Sequence, residues 1–238
     1  MNEARRRLID RLEVRSASKF YERHYALYQA SMTLTGGEVT ALLGPNGAGK
    51  STLLGLLATL VEPSSGTLRA FAGERSVSRE WWRARTGLVA HESMLQRELT
   101  GREQLRLVAA LKGVSEALVD DELRRVELVA DADRSIGTYS RGMRQRLAIA
   151  RALLGDPDIV LLDEPSTGLD ARSRSMLWAL LRALAGEGRI VAVVTHDFDA
   201  PDGTFDRAVV LAAGRVVDDR AAPGPLSSVY RTALSEAR

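Results

Sequence analysis

The chain has no cysteine and only three histidines, His24, His91 and His196, scattered along 238 residues. The first absence excludes disulfides and thiolate-bound metals, and the second leaves no imidazole spacing for a structural zinc. No apolar stretch approaches the roughly eighteen residues needed to cross a bilayer. Met1–Asp10 carries arginines but no apolar core of a signal peptide. These absences predict a cytoplasmic chain that reaches a membrane only through a partner. The formal net charge is +2, too small a field to draw it to nucleic acid. Lysine is scarce as well: Lys19, Lys50 and Lys112 stand among 33 basic residues, the rest arginine.

What is present begins with one of those lysines. Residues 44 to 51 read Gly-Pro-Asn-Gly-Ala-Gly-Lys-Ser, after the apolar run Val39–Leu43 and before the helix-like Thr52–Leu60. Glycines at 44, 47 and 49 let the backbone curl into a nest whose N–H groups surround an anion. Lys50 supplies a point charge for β- and γ-phosphates, and the Ser51 hydroxyl is a Mg²⁺ ligand. The positive end of the following helix adds to the same field. The loop Gly44, Pro45, Asn46, Gly47, Ala48, Gly49, Lys50, Ser51 is therefore expected to bind a nucleotide.

Apolar runs at Val39–Leu43, Thr86–Ala90, Asp158–Leu162, Ile190–Thr195 and Arg207–Leu211 are mostly unbroken. Strands buried on both faces read this way, which predicts a parallel sheet covered by helices. Helical spacing marks Arg144–Leu154, stopped by Gly155 and Pro157, and Ala171–Ala185, stopped by Gly186 and Gly188. Short alternating pieces at Leu12–Arg15 and Met32–Leu34 predict antiparallel strands near the N-terminus. Leu99–Glu127 is helical in pattern and falls between two core strands. Ala212-Ala213-Gly214 predicts a hairpin joining Ala208–Leu211 to Arg215–Val217. A loop at Arg220–Pro225 and a short helix, Leu226–Glu236, are expected to follow.

Asp163-Glu164 closes the strand Ile159–Leu162, facing the crevice where open α/β sheets bind ligands. Beside a phosphate loop, Asp163 is expected to hold Mg²⁺, directly or through water. Glu164 is placed to orient and deprotonate an attacking water. His196 ends the strand Ile190–Thr195 at the same edge. A lone histidine there is more often a satisfied residue than a catalytic one, yet this one can reach a γ-phosphate. Ser140-Arg141-Gly142-Met143 opens a helix. An N-cap serine suffices locally, while the exposed helix start also suits a phosphate brought by a second molecule.

In this order and spacing the motifs resemble the nucleotide-binding subunit of ATP-binding-cassette (ABC) transporters over almost the whole chain. Gly44–Ser51 looks like the Walker A loop and Tyr139-Ser140-Arg141-Gly142-Met143 like the signature. Leu161-Leu162-Asp163-Glu164 looks like Walker B, Ser166–Asp170 like the D-loop and His196 like the switch histidine. The resemblance implies a single α/β ABC ATPase domain, 1–238, of the P-loop NTPase class. That fold has a RecA-like core, an N-terminal antiparallel β subdomain and an inserted α-helical subdomain over about 92–155. It implies ATP and Mg²⁺, and a head-to-tail homodimer with nucleotide at the interface. Lys50, Ser51 and Thr52 of one subunit would hold each ATP together with Ser140 and Gly142 of the other. Asp170 is a further nucleotide contact, and Lys50, Glu164 and His196 are the catalytic set. Tyr21 is the aromatic expected to stack on adenine, with Phe20 and Tyr25 as rivals. His91 takes the Q-loop glutamine's place as a contact to water or metal, with a charge responsive to pH near neutrality.

The resemblance further implies a membrane-spanning transporter subunit as partner, on the inner face of the cell membrane, docking near Trp81, Trp82 and Met94. Packing beside the strand explains the tryptophan pair equally well. His91–Leu95 and Leu99–Glu103 look most like the ATPase of cytochrome c maturation haem exporters. Ser140–Arg146 also occurs in ABC-2 type drug and polysaccharide exporter ATPases, the alternative reading. A soluble ABC ATPase acting on DNA or the ribosome would need an insertion, a second cassette or a basic tail that this sequence does not show. A GTPase would need an Asn-Lys-x-Asp guanine reader, and none of the lysines follows an asparagine.

Overall fold

The structure is a computed structural model, and it describes residues 8–22, 24–90, 94–222 and 224–236. Near the N-terminus β1 (Arg11–Tyr21) and β2 (His24–Thr35) form a long antiparallel pair. The sequence shows only fragments of it. Ser16 and Gln29 take positive φ (47° and 49°), and register shifts after Val14 break the alternation. β3 (Val39–Leu43) follows with every residue buried, then α1 (Lys50–Leu57). The helix stops short of the expected Leu60 because Thr59 is left-handed, at φ 60°.

Next come β4 (Ser65–Ala72), the short β5 (Arg75–Ser76), α2 (Arg79–Ala84) and β6 (Thr86–Val89). β4, β5 and α2 carry no sequence expectation: β4 exposes most of its first half, so it shows no apolar run. The helical stretch after β6 is two helices, α3 (Gly101–Lys112) and α4 (Leu118–Arg125), separated at Gly113. Thr100 and Glu103 close a reciprocal capping box on α3, satisfying two otherwise orphaned N–H groups. α5 (Arg141–Leu153), β7 (Ile159–Asp163), α6 (Ala171–Gly186) and β8 (Ile190–Val194) occupy the expected places. β9 (Arg207–Ala212) and β10 (Arg215–Ala221) form the expected hairpin across Ala213 and Gly214, both at positive φ. β10 runs to Ala221, so the first part of the expected loop is strand. α7 is Leu226–Glu236.

A four-stranded antiparallel sheet has the order β2-β1-β4-β5, and a six-stranded sheet the order β10-β9-β3-β8-β7-β6. β9, β3, β8, β7 and β6 run parallel; β10 alone is antiparallel to its neighbour. Strand alternation divides the interior into two cores. Val39, Ala41, Val160, Leu162, Val191 and Val193 pack with α5 and α6 residues such as Leu147 and Leu181. Leu42, Ile159, Leu161, Ile190 and Ala192 pack with α1 and the four-stranded sheet through Leu53, Leu57, Leu12 and Leu34. The ends of β3, β7 and β8 are thus fixed from both sides. Loops leaving those ends build the site.

Candidate functional site

The segment from Leu43 to α1 bends back under the strand ends, and glycine is required where it does. At Gly49 (φ 99°) a Cβ would lie 2.4 Å from the carbonyl oxygen of Ala26. At Gly44 one would lie 2.3 Å from that of Leu211. Gly49 is the N-cap of α1, with no side chain capping the helix and no acid in its first turn. The start of α1 therefore presents open N–H groups and an uncompensated positive dipole end.

A cavity of ≈ 750 Å³ opens in front of this helix start. Its wall includes Asn46, Gly47, Ala48, Gly49, Lys50, Ser51, Thr52, Asp163, Glu164 and His196. Lys50 Nζ donates to the carbonyls of Gly44 at 2.7 Å and Pro45 at 3.0 Å, leaving one ammonium proton for a ligand. Gly44 and Pro45 themselves do not line the cavity; their place is beneath it, holding the lysine. Burial pushes the Lys50 ammonium's pKa down, and Glu164 and Asp163 work against that shift.

Ser51 Oγ donates to Asp163 Oδ2 at 3.2 Å, joining the first turn of α1 to the end of β7. A hydroxyl and a carboxylate on a cavity wall suit Mg²⁺, which takes one or two protein oxygens and fills its shell with phosphate and water. No group of three or more His, Cys, Asp or Glu residues among those described would cage a metal by itself. The donor set fits a cation shared with a polyphosphate.

Glu164 follows in a left-handed conformation, φ 51°. Its N–H donates to Val194 O at 2.9 Å and its carbonyl accepts from Thr167 N at 3.2 Å. Burial raises the Glu164 pKa above the ordinary 4.5, with His196 acting against it. His196 Nε2 stands 3.5 Å from Glu164 Oε1, and its backbone N–H donates to Oε2 at 3.3 Å. A half-buried carboxylate of raised pKa, beside an ammonium and a hydroxyl, is equipped to accept a proton from water next to bound phosphates.

Ser140, Gly142 and Asp170 are not in the cavity wall. Ser140 caps α5, accepting from Met143 N at 3.1 Å. Gly142 lies against the loop before α6, where a Cβ would be 3.6 Å from Gly168 O. Asp170 caps α6 by accepting from Ser173 N at 2.8 Å, a bond that lowers its pKa. The Asp170 carboxylate is thus engaged as a cap, outside this cavity wall.

Of the candidate aromatics, Tyr25 lines the cavity together with His24, whereas Tyr21 does not; the Tyr21 and His24 ring centres are 6.4 Å apart. The hairpin pairs Tyr21 with His24 and Phe20 with Tyr25, and the rising β2 arm is the one that passes the loop. Trp82 is core, 3% exposed, whereas Trp81 and Met94 are exposed. The His91 expectation lies outside the described residues. His24, Ala26, Thr167 and Val194 also line the cavity and were not singled out by sequence. Only Thr167 had a signal, its position within Ser166–Asp170.

A family model described as ABC transporter matches residues 27–167. The chain is 38% identical over 212 residues to the daunorubicin/doxorubicin resistance ATP-binding protein DrrA of Streptomyces peucetius. That match covers 87% of this chain and 64% of the relative. A Nod factor export ATP-binding protein I of Burkholderia lata is 37% identical over 215 residues, covering 88% of this chain and 70% of the relative. Among solved structures, an ATP-binding subunit of an ABC transporter superposes with a TM-score of 0.82 at 28% identity, covering 94% of this chain and 99% of that one. A dimeric, post-hydrolysis ATP-binding cassette bound to ADP and phosphate gives 0.79 at 28% identity, covering 90% and 99%.

Proposed function

The chain belongs to the ABC transporter family, and from that premise we propose that it is the ATP-hydrolysing subunit of an exporter. The observation that carries this reading is the convergence of Lys50, Ser51, Asp163, Glu164 and His196 on one cavity. The phosphates would lie over the start of α1, with Lys50 on their β and γ groups. Ser51 and Asp163 would hold Mg²⁺, which supplies charge neutralisation to the phosphates when bound. Glu164 would accept the proton of the attacking water, and His196 would face the γ-phosphate. Tyr25 is the better-placed adenine partner, since it already forms the cavity wall.

Ser140 and Gly142 sit at an exposed helix start outside that wall. This supports a head-to-tail dimer in which they close over the ATP of the other subunit. The likeness to a dimeric cassette supports the same arrangement. A membrane-spanning subunit would be the partner on the cytoplasmic face, since no helix among the described residues is long and apolar enough to cross a bilayer. Exposed Trp81 and Met94 mark a place for it to dock.

The two named relatives serve drug resistance and Nod factor export. They support the drug or polysaccharide exporter reading over haem export, and the drug or polysaccharide reading is the one proposed here. Mg²⁺-dependent ATP hydrolysis by the purified chain, and its co-purification with a multi-span membrane subunit, test the proposal. A chain that hydrolyses no ATP in either setting contradicts it.

A further inference from the structure

Arg141 is the first residue of α5. As a helix element it is badly placed. A cation in the first turn opposes the macrodipole, and that turn contains no acid to offset it. The residue is exposed, and among the described residues its guanidinium has no carboxylate or carbonyl partner. Its stem, however, lies across the backbone of Gly168. A Cβ on Gly168 would be 2.5 Å from Arg141 Cδ, 2.6 Å from Nε and 2.9 Å from Cγ. Gly168 has φ +79°, which favours glycine, and a Cβ there would push the arginine stem off the loop.

The loop beneath leads directly to the catalytic carboxylate. Leu169 N donates to Ser166 O at 3.1 Å and Thr167 N to Glu164 O at 3.2 Å. The stretch from Glu164 to Leu169 is thus a run of tight turns with Arg141 resting on its far end. We propose that Arg141 is a positioning residue. Its stem clamps the Ser166–Asp170 loop to the start of α5, so that Ser140 and Gly142 move as one body with Glu164. This rests on the two-subunit site proposed above. Within it, the contact ties the half-site offered to the partner's ATP to the base acting on the subunit's own.

Two readouts test the clamp. Amide hydrogen exchange of residues 166–169, measured without nucleotide, should quicken by at least about fivefold in Arg141→Gly. Arg141→Met keeps an apolar stem without charge and should retain most of the protection. In ATP hydrolysis Arg141→Gly should lower kcat while KM stays within about twofold, because the subunit's own ATP contacts are untouched. Gly168→Ala should cost less kcat in the Arg141→Gly background than in the parent, because there is then no arginine stem to displace while the backbone strain is common to both. Unchanged exchange in Arg141→Gly overturns the proposal, as does equal exchange in the Gly and Met variants or an equal cost of Gly168→Ala in the two backgrounds. The exchange measurement needs no ATP, so failure of the ATPase reading and failure of the clamp are distinguishable.

Discussion

Glu164 and His196 are held against each other at the ends of neighbouring parallel strands. The imidazole Nε2 stands 3.5 Å from one carboxylate oxygen, and the His196 backbone N–H donates to the other at 3.3 Å. The second bond comes from the main chain, so it fixes the carboxylate whatever the state of the imidazole. Strand pairing of Asp163 with Val194 sets this spacing. The carboxylate is therefore aimed before any substrate arrives. Glu164→Gln keeps the shape and removes the proposed base. It should reduce turnover by about 10²–10⁴-fold while ATP still binds, measured by phosphate release alongside nucleotide binding.

The same residue should reveal a conflict between stability and function. Its left-handed backbone costs about 1 kcal/mol or more for a residue with a Cβ. Its raised pKa means that the ionised form is disfavoured in the folded chain. Stability withheld at pH 7 is recovered as pH falls through the folded pKa towards the ordinary 4.5, where the carboxyl is protonated in both states. Glu164→Gln should therefore raise Tm at pH 7, and the gain should shrink as pH falls through the folded pKa and be gone below about pH 4.5. Thermal melts across that range provide the check. Glu164→Gly, which also relieves the backbone, should gain at least as much.

Lys50 is held by the carbonyls of Gly44 and Pro45 and shadowed by two carboxylates. Lys50→Ala removes the one ammonium in the cavity wall. ATP affinity should fall by about 10–100-fold, the scale of a lost charge-assisted contact, and hydrolysis should cease. Titration with a fluorescent ATP analogue reads the first effect.

The two candidate aromatics can be separated. If adenine rests on the cavity wall, Tyr25→Ala should weaken ATP binding by about 1–3 kcal/mol, and Tyr21→Ala by less. The reverse order would mean that the hairpin closes on the nucleotide and brings Tyr21 forward.

Legibility from sequence followed physical cause. β3, β7 and β8 are buried on both faces, so their apolar runs announced the parallel sheet, and the loop at Gly44–Ser51 needs its glycines in fixed places. The ends of those strands carried Asp163, Glu164 and His196, and all three lie in the cavity wall. β4 and α2 stayed hidden because a strand largely exposed in its first half and a six-residue helix leave no period to read. Tyr21 and Tyr25 stand four residues apart on opposite arms of a hairpin, and only the register decides which meets the loop. Spacing cannot resolve that choice. Asp170 illustrates another ambiguity, since a carboxylate before a helix reads equally as ligand and as cap.

Asp158 is a stability prediction remote from the chemistry. It is buried at the start of β7, where Arg85 donates to both its oxygens at 2.6 and 3.1 Å and the Ile9 N–H donates at 3.2 Å. Asp158→Ala leaves a guanidinium that is only 14% exposed without its carboxylate, and should cost about 3–5 kcal/mol in denaturant unfolding.

The central claim is that the catalytic unit is shared between two chains, and mixing two defective variants tests it most directly. Lys50→Ala spoils the cavity but leaves the start of α5 intact. Gly142→Asp spoils the helix start for phosphate, and its Cβ meets nothing closer than 3.6 Å, so the substitution introduces no backbone clash. Each variant alone should be inactive. Mixed in equal amounts, they should regain Mg²⁺-dependent ATP hydrolysis, because one interface then pairs an intact Lys50 with an intact Gly142. A mixture as inactive as either variant, with both confirmed folded and dimeric, would contradict the account.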